Sequence, residues 1–168
     1  MPVKSEISWD EIVAIASPIL PIGVVGLGWY LFMKKKDQVE FLDKLKKPSW
    51  MIQNPVANAA IELAVVAPIG FAANTVYKAA PGTDRNVALA LYGTGLAIYA
   101  GSIPGFTTVK DLKCWFSMTA LMAGVYGATA VAFYKVDNKA GLLIVPLAAW
   151  LSYHTAGLAA TVQANPKI

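Results

Sequence analysis

The 27 residues Ala140–Pro166, AGLLIVPLAAWLSYHTAGLAATVQANP, contain no Asp, Glu, Lys or Arg. A helix rises about 1.5 Å per residue, so about 20 residues cross the roughly 30 Å hydrocarbon core of a bilayer. This stretch is long enough to do so with residues to spare. Three further uncharged runs obey the same arithmetic: Ile12–Met33 with 22 residues, Asn86–Val109 with 24 and Cys114–Tyr134 with 21, His being set aside. A fifth segment, Val56–Tyr77, is equally apolar except for Glu62. The expected fold is therefore all-α, an integral membrane bundle of five transmembrane helices. The spans are placed at about 10–33, 56–79, 87–106, 114–135 and 141–164, with a basic first loop over 34–55 and a single domain over 1–168.

Composition agrees with that reading. Charged residues are 14 % of the chain and hydrophobic ones 57 %, against roughly 25 % and 45–50 % in an ordinary soluble domain. A soluble globular domain and a disordered chain are both excluded on these numbers. Cys114 is the single cysteine and His154 the single histidine, so no internal disulfide, redox pair or metal site is expected. The first span is expected to be retained rather than cleaved. Glu6, Asp10 and Glu11 flank it against one Lys4, and its run exceeds the ~7–15 residues of a signal-peptide core.

Lysine and arginine set the orientation. With five crossings, one side holds Lys34, Lys35, Lys36, Lys44, Lys46, Lys47, Lys110, Lys113 and Lys167, and the other holds Lys4, Lys78, Arg85, Lys135 and Lys139. The positive-inside tendency then puts the first loop and the C-terminus in the cytosol. The net charge of +4 follows from topology, and no basic face interleaved with aromatics points to nucleic acid. Membrane lipids are the expected partner of the basic first loop, whose Val39–Leu45 stretch predicts a short amphipathic helix at the headgroups.

Within the spans, Gly93, Ala97, Gly101 and Gly105 recur every four residues, a small-residue stripe suited to close packing inside the bundle or in a dimer. Pro104 is expected to kink or finish the third span, and Pro18 and Pro21 to break the first. Glu62 should face the bundle interior or lie at headgroup depth, because a carboxylate in hydrocarbon costs several kcal/mol, about 3 on insertion scales. The short loops predict that consecutive spans pack as antiparallel neighbours.

Lys47-Pro48-Ser49-Trp50 after the basic loop, Leu91-Tyr92-Gly93 with Leu96-Ala97, Ala132-Phe133-Tyr134, and the proline-to-tryptophan run Pro146-Leu147-Ala148-Ala149-Trp150 resemble the translocator protein family, the tryptophan-rich sensory proteins. The resemblance implies a five-helix bundle, often a homodimer, with a pocket near the first loop for porphyrins, sterol-like molecules and aromatic ligands. It places Pro48 and Trp50 in the pocket lid, Pro104 at the end of the third span and Trp150 in the pocket wall. It implies no obligatory cofactor, with a porphyrin, haem or sterol-like lipid as ligand, and a mitochondrial membrane if the source is eukaryotic. Porphyrin photodegradation, an activity of some bacterial relatives, would be the enzymatic variant.

The chain departs from the family pattern at several polar positions. Ile52 and Gln53 replace paired prolines, and Gly95, Tyr99 and Ser102 stand where Gln, Asn and Trp are expected. Gly157-Leu158 replaces a Leu-Asn pair, and the Tyr-to-Arg sterol pattern is absent. Glu62, Tyr99 and His154 offer a different pocket in their place. Two functions follow from this reading. One is a ligand-binding membrane protein, in transport or sensing, with a site lined by Trp50, Tyr92, Tyr99, Trp150 and His154. The other is a structural accessory subunit of a larger membrane complex.

Overall fold

The computed structural model describes residues 8–166. They form α1 (Trp9–Lys34), α2 (Lys36–Asp43), α3 (Pro55–Lys78), α4 (Thr83–Thr108), α5 (Leu112–Val136) and α6 (Asn138–Ala164), with no strand among the described residues. All but α2 are long and apolar enough to cross a membrane. The stretch expected at the headgroups is α2, which starts three residues and ends two residues earlier than expected and is separated from α1 by Lys35 alone.

Four of the six helix starts carry a side-chain cap, and α2 and α4 carry none. Ser8 and Glu11 form a capping box at α1. Asn54 accepts from the amides of Val56 and Ala57, with Pro55 at the first helical position of α3. Asp111 accepts from the amides of Lys113 and Cys114 at α5. Asp137 is the whole connection between α5 and α6, and its carboxylate accepts from the Ala140 amide at 2.8 Å. Such side chains satisfy amides that have no partner inside the helix.

The prolines do not end their helices. Pro18 and Pro21 lie within an unbroken α1, and α4 runs four residues past Pro104 to Thr108. In a bundle, neighbouring helices and hydroxyl side chains absorb what a proline removes. Pro21 leaves the Ser17 carbonyl without its amide donor, and Gly70 of α3 packs directly on Ser17 and Pro18.

Contacts between helices close a ring in the order α1, α3, α6, α5, α4 and back to α1. The expected neighbour packing holds for α4 with α5 and for α5 with α6. It fails for α3 with α4, which touch only sparsely because α1 packs against both of them. At the α5–α6 turn, Gly141 lies against the backbone of Tyr134, leaving no room for a side chain.

Tyr126, Phe133, Ile69, Ile144 and Leu147 fill the centre of the ring. Phe32, Leu45, Leu112, Trp115 and Leu158 form a second cluster beneath the first loop. The outward faces carry exposed Ile15, Ile19, Phe71, Leu121, Val131 and Leu142, which water would penalise and lipid does not.

Candidate functional site

A cavity of about 160 Å³ lies inside the ring, with all five spans contributing to its wall and the first loop closing one end. Besides Tyr99 and His154, four aromatic rings line it as one cluster: Trp29 and Phe32 from α1, Phe106 from α4 and Trp115 from α5. They meet edge to face, Trp29 to Phe32 at 5.8 Å, Phe32 to Trp115 at 6.3 Å and Phe106 to Trp115 at 5.8 Å between centroids. The Trp115 indole N–H donates to the Val109 carbonyl at 2.9 Å, which fixes its ring.

Glu62 is the carboxylate of this wall. It is 8 % exposed, and each of its oxygens accepts one hydrogen bond, Oε2 from the Trp29 indole N–H at 2.7 Å and Oε1 from the Tyr99 hydroxyl. The three groups meet because their depths match. Trp29 lies five residues before the end of α1, Glu62 seven after the start of α3 and Tyr99 nine before the end of α4, all within about 8–14 Å of the first-loop side.

Two further polar atoms of the wall lack partners. Asn58 donates from Nδ2 to the Ile52 carbonyl at 3.1 Å, and its Oδ1 is buried without a donor. His154 Nε2 is buried and likewise unpartnered. The hydroxyls of Ser102, Thr107 and Thr119 return instead to carbonyls of their own helices.

The lid is held at both ends. Asn165 accepts from the Lys46 amide at 3.1 Å and donates to the Lys46 carbonyl at 2.9 Å. The Tyr153 hydroxyl accepts from the Ile52 amide at 2.7 Å and donates to the Trp50 carbonyl at 3.3 Å. Met51 is buried over Gly157, where a Cβ would come within 2.9 Å of its sulfur. Lys47 lines the mouth, and burial pushes its ammonium below the ordinary lysine range while Asp43 pulls it back. On the same side, Lys110 pairs with Asp37 at 3.1 Å and holds that carboxyl below the usual carboxylate range.

Of the residues singled out in the sequence, Tyr99 and His154 line the cavity, together with Glu62. Trp150 does not. It stacks on Tyr153 at 5.3 Å and meets His154 edge-on at 4.6 Å, so it braces the wall from behind. Trp50 is 54 % exposed and packs on Tyr153 from outside. Tyr92 lies outside the lining, tilted against Phe133 at 6.0 Å between centroids, and Pro48 and Pro104 lie outside it too.

Gly93, Ala97 and Gly101 face outward, and Gly105 turns inward against Met118. A four-residue step advances about 400° around a helix, so the stripe drifts some 40° per step. Among the described residues no group of three or more His, Cys, Asp or Glu could hold a metal. Sequence reasoning gave Trp29, Phe32, Phe106, Trp115 and Asn58 no part in the site. Matching depths across the spans, starting from Glu62, would have found Trp29.

Residues 14–163 match the model of the TspO/MBR family. A stretch of 111 residues is 31 % identical to the translocator protein of Sus scrofa, covering 65 % of this chain and 65 % of that one. The chain thus spans a little under two thirds of that relative's length.

Proposed function

The chain belongs to the TspO/MBR family and is a multi-pass membrane protein, and on that premise we propose that its cavity binds a flat hydrophobic ligand, a tetrapyrrole or a sterol-like lipid, in transport or sensing. The observation that carries the proposal is the aromatic wall, with Trp29, Phe32, Phe106 and Trp115 clustered around a cavity inside the ring of spans. Aromatic faces and edges give a flat apolar guest contact beyond simple area burial, about 0.5–1.5 kcal/mol per ring pair. Lys47 at the mouth offers a cation to any carboxylate substituent that projects toward the headgroups.

The first loop, which caps the cavity, faces the cytosol in this reading. The test is titration of the protein in nanodiscs with a dicarboxylic porphyrin, read by tryptophan fluorescence. Saturable quenching is expected, weakened at least about tenfold by Ser102→Leu, which adds carbon to the wall; about 1.4 kcal/mol corresponds to that change. Equal quenching of the wild type and the variant would refute the site.

The outward Gly93, Ala97 and Gly101 favour a second reading, because nothing lies within 4 Å of a Cβ built at either glycine. That face is open to another membrane helix, as in a homodimer or an accessory subunit of a larger complex. Native mass spectrometry from mild detergent separates a bare monomer from either assembly.

A further inference from the structure

We propose that the flat guest of this cavity bears a protonated nitrogen and that Glu62 is its counter-ion, an inference that rests on the cavity reading above and sets aside its sterol alternative, whose hydroxyl is neutral. A carboxylate at this depth needs compensation, and what it has is incomplete. Its two partners, the Trp29 indole and the Tyr99 hydroxyl, are neutral donors. No Lys or Arg among the described residues forms an ion pair with it. Among the described residues Lys47 is the only Lys or Arg in the lining, and it is on the lid, not on a span.

The rest of the wall fits the same guest. Trp29, Phe32, Phe106 and Trp115 line the cavity with Glu62, and aromatic faces attract a cation, by about 2 kcal/mol or more where water is excluded. The unpartnered polar atoms are of matching kind. Asn58 Oδ1 is an acceptor, its amide orientation fixed by the bond from Nδ2 to the Ile52 carbonyl. His154 Nε2 is buried without a partner and accepts in one tautomer.

An ammonium group has three hydrogens and no lone pair. Glu62, Asn58 and His154 put three acceptor-bearing side chains in the lining, whereas a neutral alcohol brings one hydrogen and leaves acceptors unmet. The guest therefore enters amine end first, with its apolar body among the aromatic rings and its far end under the lid.

The test is a matched pair, pyrenemethylamine and its N-acetyl derivative, titrated into the protein in phosphatidylcholine nanodiscs. Energy transfer from tryptophan to pyrene reports binding, and empty nanodiscs correct for partition. The amine should bind the wild type at least about tenfold more tightly than the neutral amide. Glu62→Gln should erase that preference, so that the two probes bind the variant with equal affinity.

Equal affinity of the two probes for the wild type overturns the proposal and leaves the cavity reading standing. A preference that survives Glu62→Gln overturns Glu62 as the counter-ion. Binding of neither probe, nor of the porphyrin, removes the cavity reading itself. The wild-type comparison needs no variant to fold. Glu62→Asp, which keeps the charge, should retain part of the preference that Glu62→Gln loses.

Discussion

Asn165 joins two segments that the chain separates by 119 positions, accepting from the Lys46 amide and donating to the Lys46 carbonyl. Its Nδ2 also reaches the Thr161 carbonyl at 2.8 Å, and the residue is 9 % exposed. Removing one partner of a buried hydrogen bond costs about 1–3 kcal/mol because the group left behind is unsatisfied. Asn165→Ala should accordingly raise the hydrogen-exchange rate of the Lys46 amide by about tenfold or more, while Asn165→Asp, which keeps an acceptor, should recover part of the protection. Unchanged exchange would show that the lid is held elsewhere. Nothing in the sequence marks Asn165, since an asparagine after a helix reads as an ordinary terminator. Glu62 was legible because charge inside a span is costly wherever it points. Its partners were not, because a tryptophan near a helix end has a ready interfacial explanation.

Gly70 and Gly93 are both mid-helix glycines with ordinary helical backbone, and propensity alone would treat them alike, alanine being favoured by about 0.5–1 kcal/mol at each. Packing separates them. A Cβ at Gly70 would fall on the Ser17 carbonyl and the Pro18 Cα, while one at Gly93 meets nothing within 4 Å. Gly70→Ala must push backbone from backbone, so a loss of about 1–3 kcal/mol or more is expected. Gly93→Ala should leave the monomer's stability unchanged or slightly raised. Thermal unfolding of the two variants in one detergent checks the contrast, and equal midpoints would refute the close approach of α1 and α3. The spans themselves were readable from uncharged length, because the bilayer sets a minimum that few soluble helices meet without charge. The break expected at Pro18 and Pro21 is absent because a helix-breaking rule learned in water overlooks neighbours that accommodate a freed carbonyl, as Gly70 does beside Ser17.

Ring closure puts the lid, the Asp37–Lys110 pair and the cavity mouth on one side of the molecule. Lys4 and Lys167, which entered the orientation argument, and Glu6, which entered the argument for a retained first span, lie outside the described residues. The described ones keep the same bias, with Lys34, Lys35, Lys36, Lys44, Lys46, Lys47, Lys110 and Lys113 on the lid side against Lys78, Arg85, Lys135 and Lys139 opposite. Sequence could supply that asymmetry because orientation depends on loop charge alone. The ring order was hidden from it, since α1 sits between α3 and α4 through side-chain fit and not through loop length. With Cys114→Ser as background, Lys44→Cys and Asp84→Cys place single thiols on exposed positions at the two ends. In intact expressing cells a membrane-impermeant maleimide should label Asp84→Cys at once and Lys44→Cys only after permeabilisation. The reverse pattern would turn the molecule over and open the cavity mouth to the opposite compartment. Any guest would then have to arrive from outside the cytosol, and the basic lid would lie against a leaflet poor in the anionic lipids its lysines suit.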